Sequence, residues 1–167
     1  MPSNGATCRI QATTPSQELV GHVRFAGDRH DPCAGHNACS IPEDVDFLVG
    51  LLGEGHRADA IDQVQGRIEN SITYVVCADD QPIGRLRLVR TEQHIEIAGI
   101  QIDPKRRGQG VGTGVITRVL DEAGASGRSV ELDVNKDNTN AERLYTRLGF
   151  RRLREDEHDY RMTTATG

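Results

Sequence analysis

The segment from His94 to Gly112 constrains this chain more than any other. It begins as a β-rich run, His94 to Ile102, whose apolar residues change parity: Ile95 and Ile97 share one, Ile100 and Ile102 the other. A strand sends alternate side chains to opposite faces, so both pairs reach one face only if an extra residue intervenes. Ala98-Gly99 is where such a β-bulge would fall; the alternative is a central strand buried on both faces. The run empties into Asp103-Pro104-Lys105-Arg106-Arg107-Gly108-Gln109-Gly110-Val111-Gly112. A helix follows, with Val111, Val115, Val119 and Ala123 one turn apart and Ile116 and Leu120 beside them. A basic, glycine-rich turn that opens a helix is an anion cradle, because the first-turn N–H groups lack intrahelical acceptors and the helix dipole favours negative charge there.

Charge is arranged to match. The 167 residues include 20 basic and 25 acidic side chains, a net −5, which argues against a general DNA or membrane-surface binder whose whole face is positive. Residues 83–118 nevertheless hold seven basic and three acidic side chains, or +4, leaving 13 and 22, or −9, elsewhere. An apolar content of 36% supports one core, and a single domain over residues 1–167 is expected. The N-terminus lacks the basic-then-apolar run of a signal peptide, and the longest apolar stretch, Phe47 to Gly53, is far short of a membrane span. A cytoplasmic protein follows as the expectation. Cys8, Cys33, Cys39 and Cys77 form no C-x-x-C pair and are expected as free thiols.

The chain changes character near Ser71. Before it, Thr14 or Ser16 can cap a helix running through about Phe25. Pro42-Glu43-Asp44 starts a second helix carrying Val45, Leu48, Val49 and Leu52, and a third is predicted from Ala58 to Glu69. After it, Ile72 to Ala78 and Ile83 to Val89 read as a hairpin around Asp79-Asp80-Gln81-Pro82. Leu86 and Leu88 alternate with Arg85 and Arg87, predicting one buried face and one wet one. Val130, Leu132 and Val134 alternate in a later strand, and Thr139-x-x-Glu142 has the form of a capping box ahead of Ala141, Leu144, Tyr145 and Leu148. Gly149 is a natural terminator, and Phe150 to Met162 is predicted as a charged pair of strands or one bent strand.

The cradle fits neither common phosphate motif. A P-loop needs Gly-Lys-Ser/Thr where this chain has Gly112-Thr113-Gly114, and a dinucleotide fingerprint needs another glycine spacing. Arg107-Gly108-Gln109-Gly110-Val111-Gly112 instead resembles the R/Q-x-x-G-x-G/A pyrophosphate loop of the GNAT N-acetyltransferase superfamily. Asn138-x-x-Ala141-x-x-x-Tyr145-x-x-x-Gly149-Phe150 is similar to a second signature of the same family, at a similar distance downstream. The likeness covers Ile72 to Met162, with the variable substrate-side helices in residues 13–70.

The resemblance implies an α/β (α+β) fold: a mixed, mostly antiparallel sheet splayed at a bulge and flanked by helices. It implies acetyl-CoA, or another acyl-CoA, in a cleft between the strand ending at Ile102 and the strand ending near Asn135. Backbone groups of Ile100, Gln101 and Ile102 would meet the pantetheine arm, and amides from Arg107 through Gly108, Gln109, Gly110, Val111 and Gly112 would hold the pyrophosphate. Asn138 would contact the pantetheine or anchor the loop. The bulge at Gly99 would aim an N–H at the thioester oxygen, as family members do. The acceptor is then a primary amine of a small molecule or peptide, attacking directly in a ternary complex, so Cys77 need not be a nucleophile. An alkyl ammonium with a pKa near ~10.4 must lose a proton before it attacks. Glu96 is the candidate base, Glu131 and Asp133 second choices, and Tyr145 the candidate acid for the departing thiolate.

Other readings stay open. Arg85, Arg87 and Arg90 with Lys105-Arg106-Arg107 could serve the phosphates of an aminoacyl-tRNA donor, which the net charge disfavours. A longer acyl-CoA, or a non-catalytic acyl-CoA-binding module, would use the same cradle. His30-x-x-Cys33-x-x-His36-x-x-Cys39 has zinc-ligand types, but the spacing is too tight for the usual two-knuckle arrangement and no metal is expected. Dimers are common among similar proteins, and a homodimer is compatible with the sequence. Glu155, Asp156, Glu157 and Asp159 form a solvated edge that could draw a cationic amine toward the cleft.

Overall fold

The structure, a computed structural model, describes residues 8–11, 20–25, 41–64, 67, 70–78 and 81–165. Eight strands form one sheet: β1 (Cys8–Gln11), β2 (Val20–Phe25), β3 (Ser71–Ala78), β4 (Gln81–Arg90), β5 (His94–Ile102), β6 (Ser129–Asn135), β7 (Arg151–Glu155) and β8 (Asp159–Thr163). Their order across the sheet is β1-β2-β3-β4-β5-β6-β8-β7. Six of the seven pairings are antiparallel, and only β5 and β6 run parallel. A parallel pair needs a long crossover, and the helix α3 (Val111–Ala125) supplies it. Among the described residues there are three further α-helices, α1 (Ile41–Leu52), α2 (Arg57–Val64) and α4 (Thr139–Arg147), and two short 3-10 turns, Glu54–His56 and Pro104–Arg106.

The sheet separates two apolar layers. On one face Leu86, Leu88, Ile95, Ile97, Val130, Leu132 and Met162 pack with Val115, Ile116 and Val119 of α3 and with Tyr145 and Phe150. Val45, Leu48, Val49 and Ala60 form a smaller cluster between α1 and α2. The alternation of β4 and the period of α3 were sufficient to place the first layer, because each presents one continuous apolar stripe.

The bulge lies where the parity change puts it. Arg87 pairs with Gly99 and Leu88 with Ile97, so Ala98 is the extra residue on β5. That insertion brings Ile95, Ile97, Ile100 and Ile102 to one face, opposite Arg90, Leu88, Leu86 and Gly84. The pairing of β5 with β6 runs from His94–Ser129 to Ile97–Leu132 and stops there. Beyond that point the two strands diverge around a slot.

Four expectations need correction. Residues 20–25, read as the end of a helix, form β2, which pairs antiparallel with β3 from Gly21–Ala78 to Phe25–Tyr74; the open edge of β3 outweighs helical spacing in a Val- and Phe-containing run. Thr14 and Ser16 lie outside the described residues, as do His30, Cys33, His36 and Cys39. The third helix ends at Val64 rather than Glu69, and Arg67 N–H bonds the Asp62 carbonyl outside it. The cap of α4 is Asn138, whose side chain accepts from Ala141 N–H at 3.2 Å, and Thr139 is already helical. Finally, the second face of β4 is not wet: Arg85 is only 5% exposed, because Gln63 of α2 lies over it and accepts from its guanidinium.

Candidate active site

The cradle is built by β5 running out at Ile102. Asp103 accepts from Lys105 N–H at 2.9 Å and caps a 3-10 turn over Pro104–Arg106. Arg107 then folds back, its Nε donating to the Ile102 carbonyl at 3.1 Å, and Gln109 Nε2 donates to the Lys105 carbonyl at 3.1 Å. Gly110 stands at the mouth of α3 with φ of 81°, a left-handed conformation that residues bearing a Cβ adopt at a cost. The first helical bond there runs from Gly114 N–H to the Gly110 carbonyl, so the amides of Val111, Gly112 and Thr113 have no acceptor within the helix.

These amides open onto a cavity of about 720 Å³. Its lining includes Ile100, Gln101, Ile102, Arg107, Gly108, Gly110, Val111, Gly112, Asn138 and Tyr145. Of the predicted cradle residues, Gln109 alone is absent from the lining, its side chain being spent on the loop itself. Residues the sequence reading missed are Arg106, Thr113, Ile116, Asn140, Ala141, Leu144 and Arg147. Asn140, Leu144 and Arg147 recur at helical spacing on α4, a signal that could have found them. The lining holds three arginines and no carboxylate, a match for a polyanionic ligand.

Backbone direction supports the same slot. Asp103 N–H donates to the Ile83 carbonyl of β4 at 2.8 Å. Main-chain groups along a strand alternate sides, so those of Ile100 and Ile102 point away from β4, toward the side that β6 has left. The Ile102 carbonyl already receives Arg107, which leaves its N–H and both groups of Ile100 for a ligand.

A second cavity, of about 280 Å³, lies deeper in the slot. Glu96, Ala98, Gly99 and Gln101 line it from β5, and Asp133 and Asn135 line it from β6. Ile100, Gln101, Asn138 and Tyr145 belong to both cavities. The Tyr145 ring is buried against Phe150, with centroids 5.7 Å apart. Burial pushes its phenol pKa above the ordinary value. Among the described residues its hydroxyl has no hydrogen-bond partner.

The three candidate bases share one cation. Arg161 of β8 reaches Glu96 Oε2 at 3.2 Å, Glu131 Oε2 at 2.9 Å and Asp133 Oδ2 at 2.8 Å. Against burial, which acts to lower it, hydrogen bonds to Glu96 and Glu131 hold the Arg161 pKa above its usual value. Glu96 uses Oε2 alone in this contact. Cys77 is buried in β3 and lines neither cavity. Among the described residues no group of His, Cys, Asp and Glu could hold a metal ion, and no helix is long and apolar enough to cross a membrane.

Comparison with known proteins agrees with this geometry. Residues 47–150 match the model of the Acetyltransferase (GNAT) family. The chain is 29% identical to the peptidyl-lysine N-acetyltransferase YjaB of Salmonella typhimurium over 116 residues, covering 69% of this chain and 74% of that protein. Among solved structures, a spermidine N-acetyltransferase SpeG chimera from Vibrio cholerae and hSSAT superposes with a TM-score of 0.66 at 18% identity, covering 87% of this chain and 95% of the other. A GNAT family acetyltransferase from Elizabethkingia anophelis with acetyl-CoA bound gives 0.54 at 18% identity, covering 64% and 81%.

Proposed function

This chain belongs to the GNAT acetyltransferase family, and from that premise we propose that it moves an acetyl group from acetyl-CoA to a primary amine of a small molecule or peptide. One observation carries the reading: the slot opened at Ala98 connects a carboxylate-free, arginine-bearing cavity at the α3 mouth to a smaller one bordered by Glu96 and Tyr145. The residues fit the donor. The free amides of Val111, Gly112 and Thr113, with Arg106 and Arg107 beside them, suit a diphosphate. The open main-chain groups of Ile100 and Ile102 suit an amide-bearing arm laid along β5 as a surrogate strand.

Glu96 takes a proton from the acceptor ammonium, directly or through water, and so frees the amine to attack, with Oε1 as the acceptor because Oε2 is held by Arg161. The amine nitrogen then bonds the acyl carbon while a backbone N–H at the bulge receives the developing oxyanion, a contribution of about 3 kcal/mol per donor. Tyr145 passes its proton to the sulfur as the carbon–sulfur bond breaks, and the second proton shed by the amine nitrogen restores the phenol; a phenol whose pKa is raised stays protonated at neutral pH and keeps that proton available. Asn138 holds the start of α4 and thereby the position of Tyr145.

The acceptor enters from the face that carries Glu96, Glu131 and Asp133, where three carboxylates meet one arginine. That surplus of negative charge favours a cationic amine, and a lysine side chain, the acceptor class named for the Salmonella relative, has that chemistry. The buried position of Arg85 removes it from any phosphate contact with a tRNA donor. Incubating the protein with acetyl-CoA and a panel of lysyl peptides and small amines, and measuring free thiol, tests the reading. Amine-dependent thiol release is expected; binding of acetyl-CoA without release under any amine would instead mark a non-catalytic module.

A further inference from the structure

Arg85 is buried under the bulge with no opposite charge paired to it among the described residues. Its Nε donates to Gln101 Oε1 and its Nη1 to Gln63 Oε1, both neutral amides. A Cβ built on Gly99 would lie 2.5 Å from Arg85 Nη2, so the guanidinium rests directly against the backbone of the bulge. Arg87, two residues along the same face, reaches the Ala98 carbonyl at 3.5 Å, and its Nε is buried with no partner among the described residues. Glu96, on the same face of β5, is instead committed to Arg161. Two guanidinium groups therefore flank Ala98-Gly99, and neither is paired with a carboxylate among the described residues.

A buried cation without a counter-ion is unfavourable in a resting fold, and negative charge developing beside it offsets that cost. Burial, and then the neighbouring Arg87, lower the Arg85 pKa to about 10, which still leaves it charged at neutral pH. The amides it holds come from α2 on one side and from β5 on the other, so it also ties the substrate-side helix to the strand that bears the bulge.

We propose that Arg85 is a positioning residue for acyl transfer: it fixes the backbone of the bulge at Ala98-Gly99, and its unpaired charge polarises the acyl carbonyl that this backbone receives. The inference rests on the acetyltransferase reading. No proton leaves Arg85; it acts on the electron density of the carbonyl while the carbon–nitrogen bond forms and the carbon–sulfur bond breaks.

The test is infrared difference spectroscopy of acetyl-CoA labelled with carbon-13 at the acetyl carbonyl, bound to the wild-type protein, Arg85→Met and Arg85→Lys, with kcat and CoA affinity measured in parallel. In the wild type the carbonyl band should sit below its frequency in solution. In Arg85→Met it should move back toward the solution value, with kcat down about tenfold or more and CoA affinity little changed. An Arg85→Met protein with the wild-type band and kcat would overturn the proposal. Should that variant not fold, Arg85→Lys decides: a band still displaced supports the role of charge, and a band at the solution position overturns it. A wild-type protein that binds acetyl-CoA with an unshifted band defeats this inference alone, whereas failure to bind acetyl-CoA defeats the acetyltransferase reading on which it stands.

Discussion

Tyr145 and Glu96 border the same small cavity but sit in opposite electrostatic settings, and that contrast divides their proposed roles. Tyr145 is buried among apolar side chains, which keeps its proton in place, whereas Glu96 is held beside a guanidinium. Tyr145→Phe should lower kcat by about 10- to 100-fold with little change in CoA affinity; an unaltered rate removes it as the acid. Glu96→Gln keeps the shape and one hydrogen bond to Arg161 but cannot accept a proton. It should cost on the order of 100-fold in kcat at neutral pH, and the loss should shrink for acceptor amines of low pKa, which need less help. A loss that is the same for every amine would point to positioning by the Glu96–Arg161 pair instead. Both proposed roles came through the family resemblance: Tyr145 from the Asn138-to-Phe150 signature, Glu96 from a strand position at which some members carry a catalytic glutamate. The pairing of Glu96 with Arg161 spans 65 positions and leaves no trace in either local pattern.

Elements with a continuous apolar stripe were readable, and those defined by a partner were not. β5, α3, β6 and α4 each announce themselves through period and punctuation. β2 resembles a helix end until β3 offers it an edge, and the wet face assigned to Arg85 becomes dry only when α2 lies over it. Asn138 took the capping position from Thr139 because its carboxamide reaches Ala141 N–H, one residue earlier than the capping-box spacing implies. At this scale α3 is tied to the sheet by Arg90, whose Nε and Nη2 grip the two oxygens of Glu122 at 2.8 and 2.9 Å. Hydrogen bonding to Arg90 holds the Glu122 carboxyl below its usual range. The unfolded chain therefore binds this proton first as the pH falls. The stabilisation is complete above an unfolded carboxylate pKa of about 4.3 and is lost as pH drops through the lower folded value. Glu122→Gln should cost up to about 1 kcal/mol at pH 7, screening being substantial at this partly exposed site. The difference from wild type should vanish in acid; denaturant melts at pH 7 and pH 3 that show the same difference would refute the assignment.

At the scale of the whole molecule, one extra residue and one glycine-rich turn organise the function. Ala98 forces β5 away from β6 after Ile97, and the α3 mouth closes one end of the slot with unpaired amides. Everything proposed for chemistry requires that this slot hold the donor. The most direct measurement is calorimetric titration of CoA into the wild-type protein and into the Arg107→Ala/Gly110→Ala variant, with thermal melts showing that both are folded. A Cβ at a φ of 81° strains the turn by about 1 kcal/mol or more, and Arg107 no longer braces the loop through the Ile102 carbonyl. The account predicts saturable CoA binding by the wild type, weakened about tenfold or more in the variant, where ~1.4 kcal/mol corresponds to a factor of ten. Equal affinity in the two folded proteins, or no CoA binding by either, would contradict it.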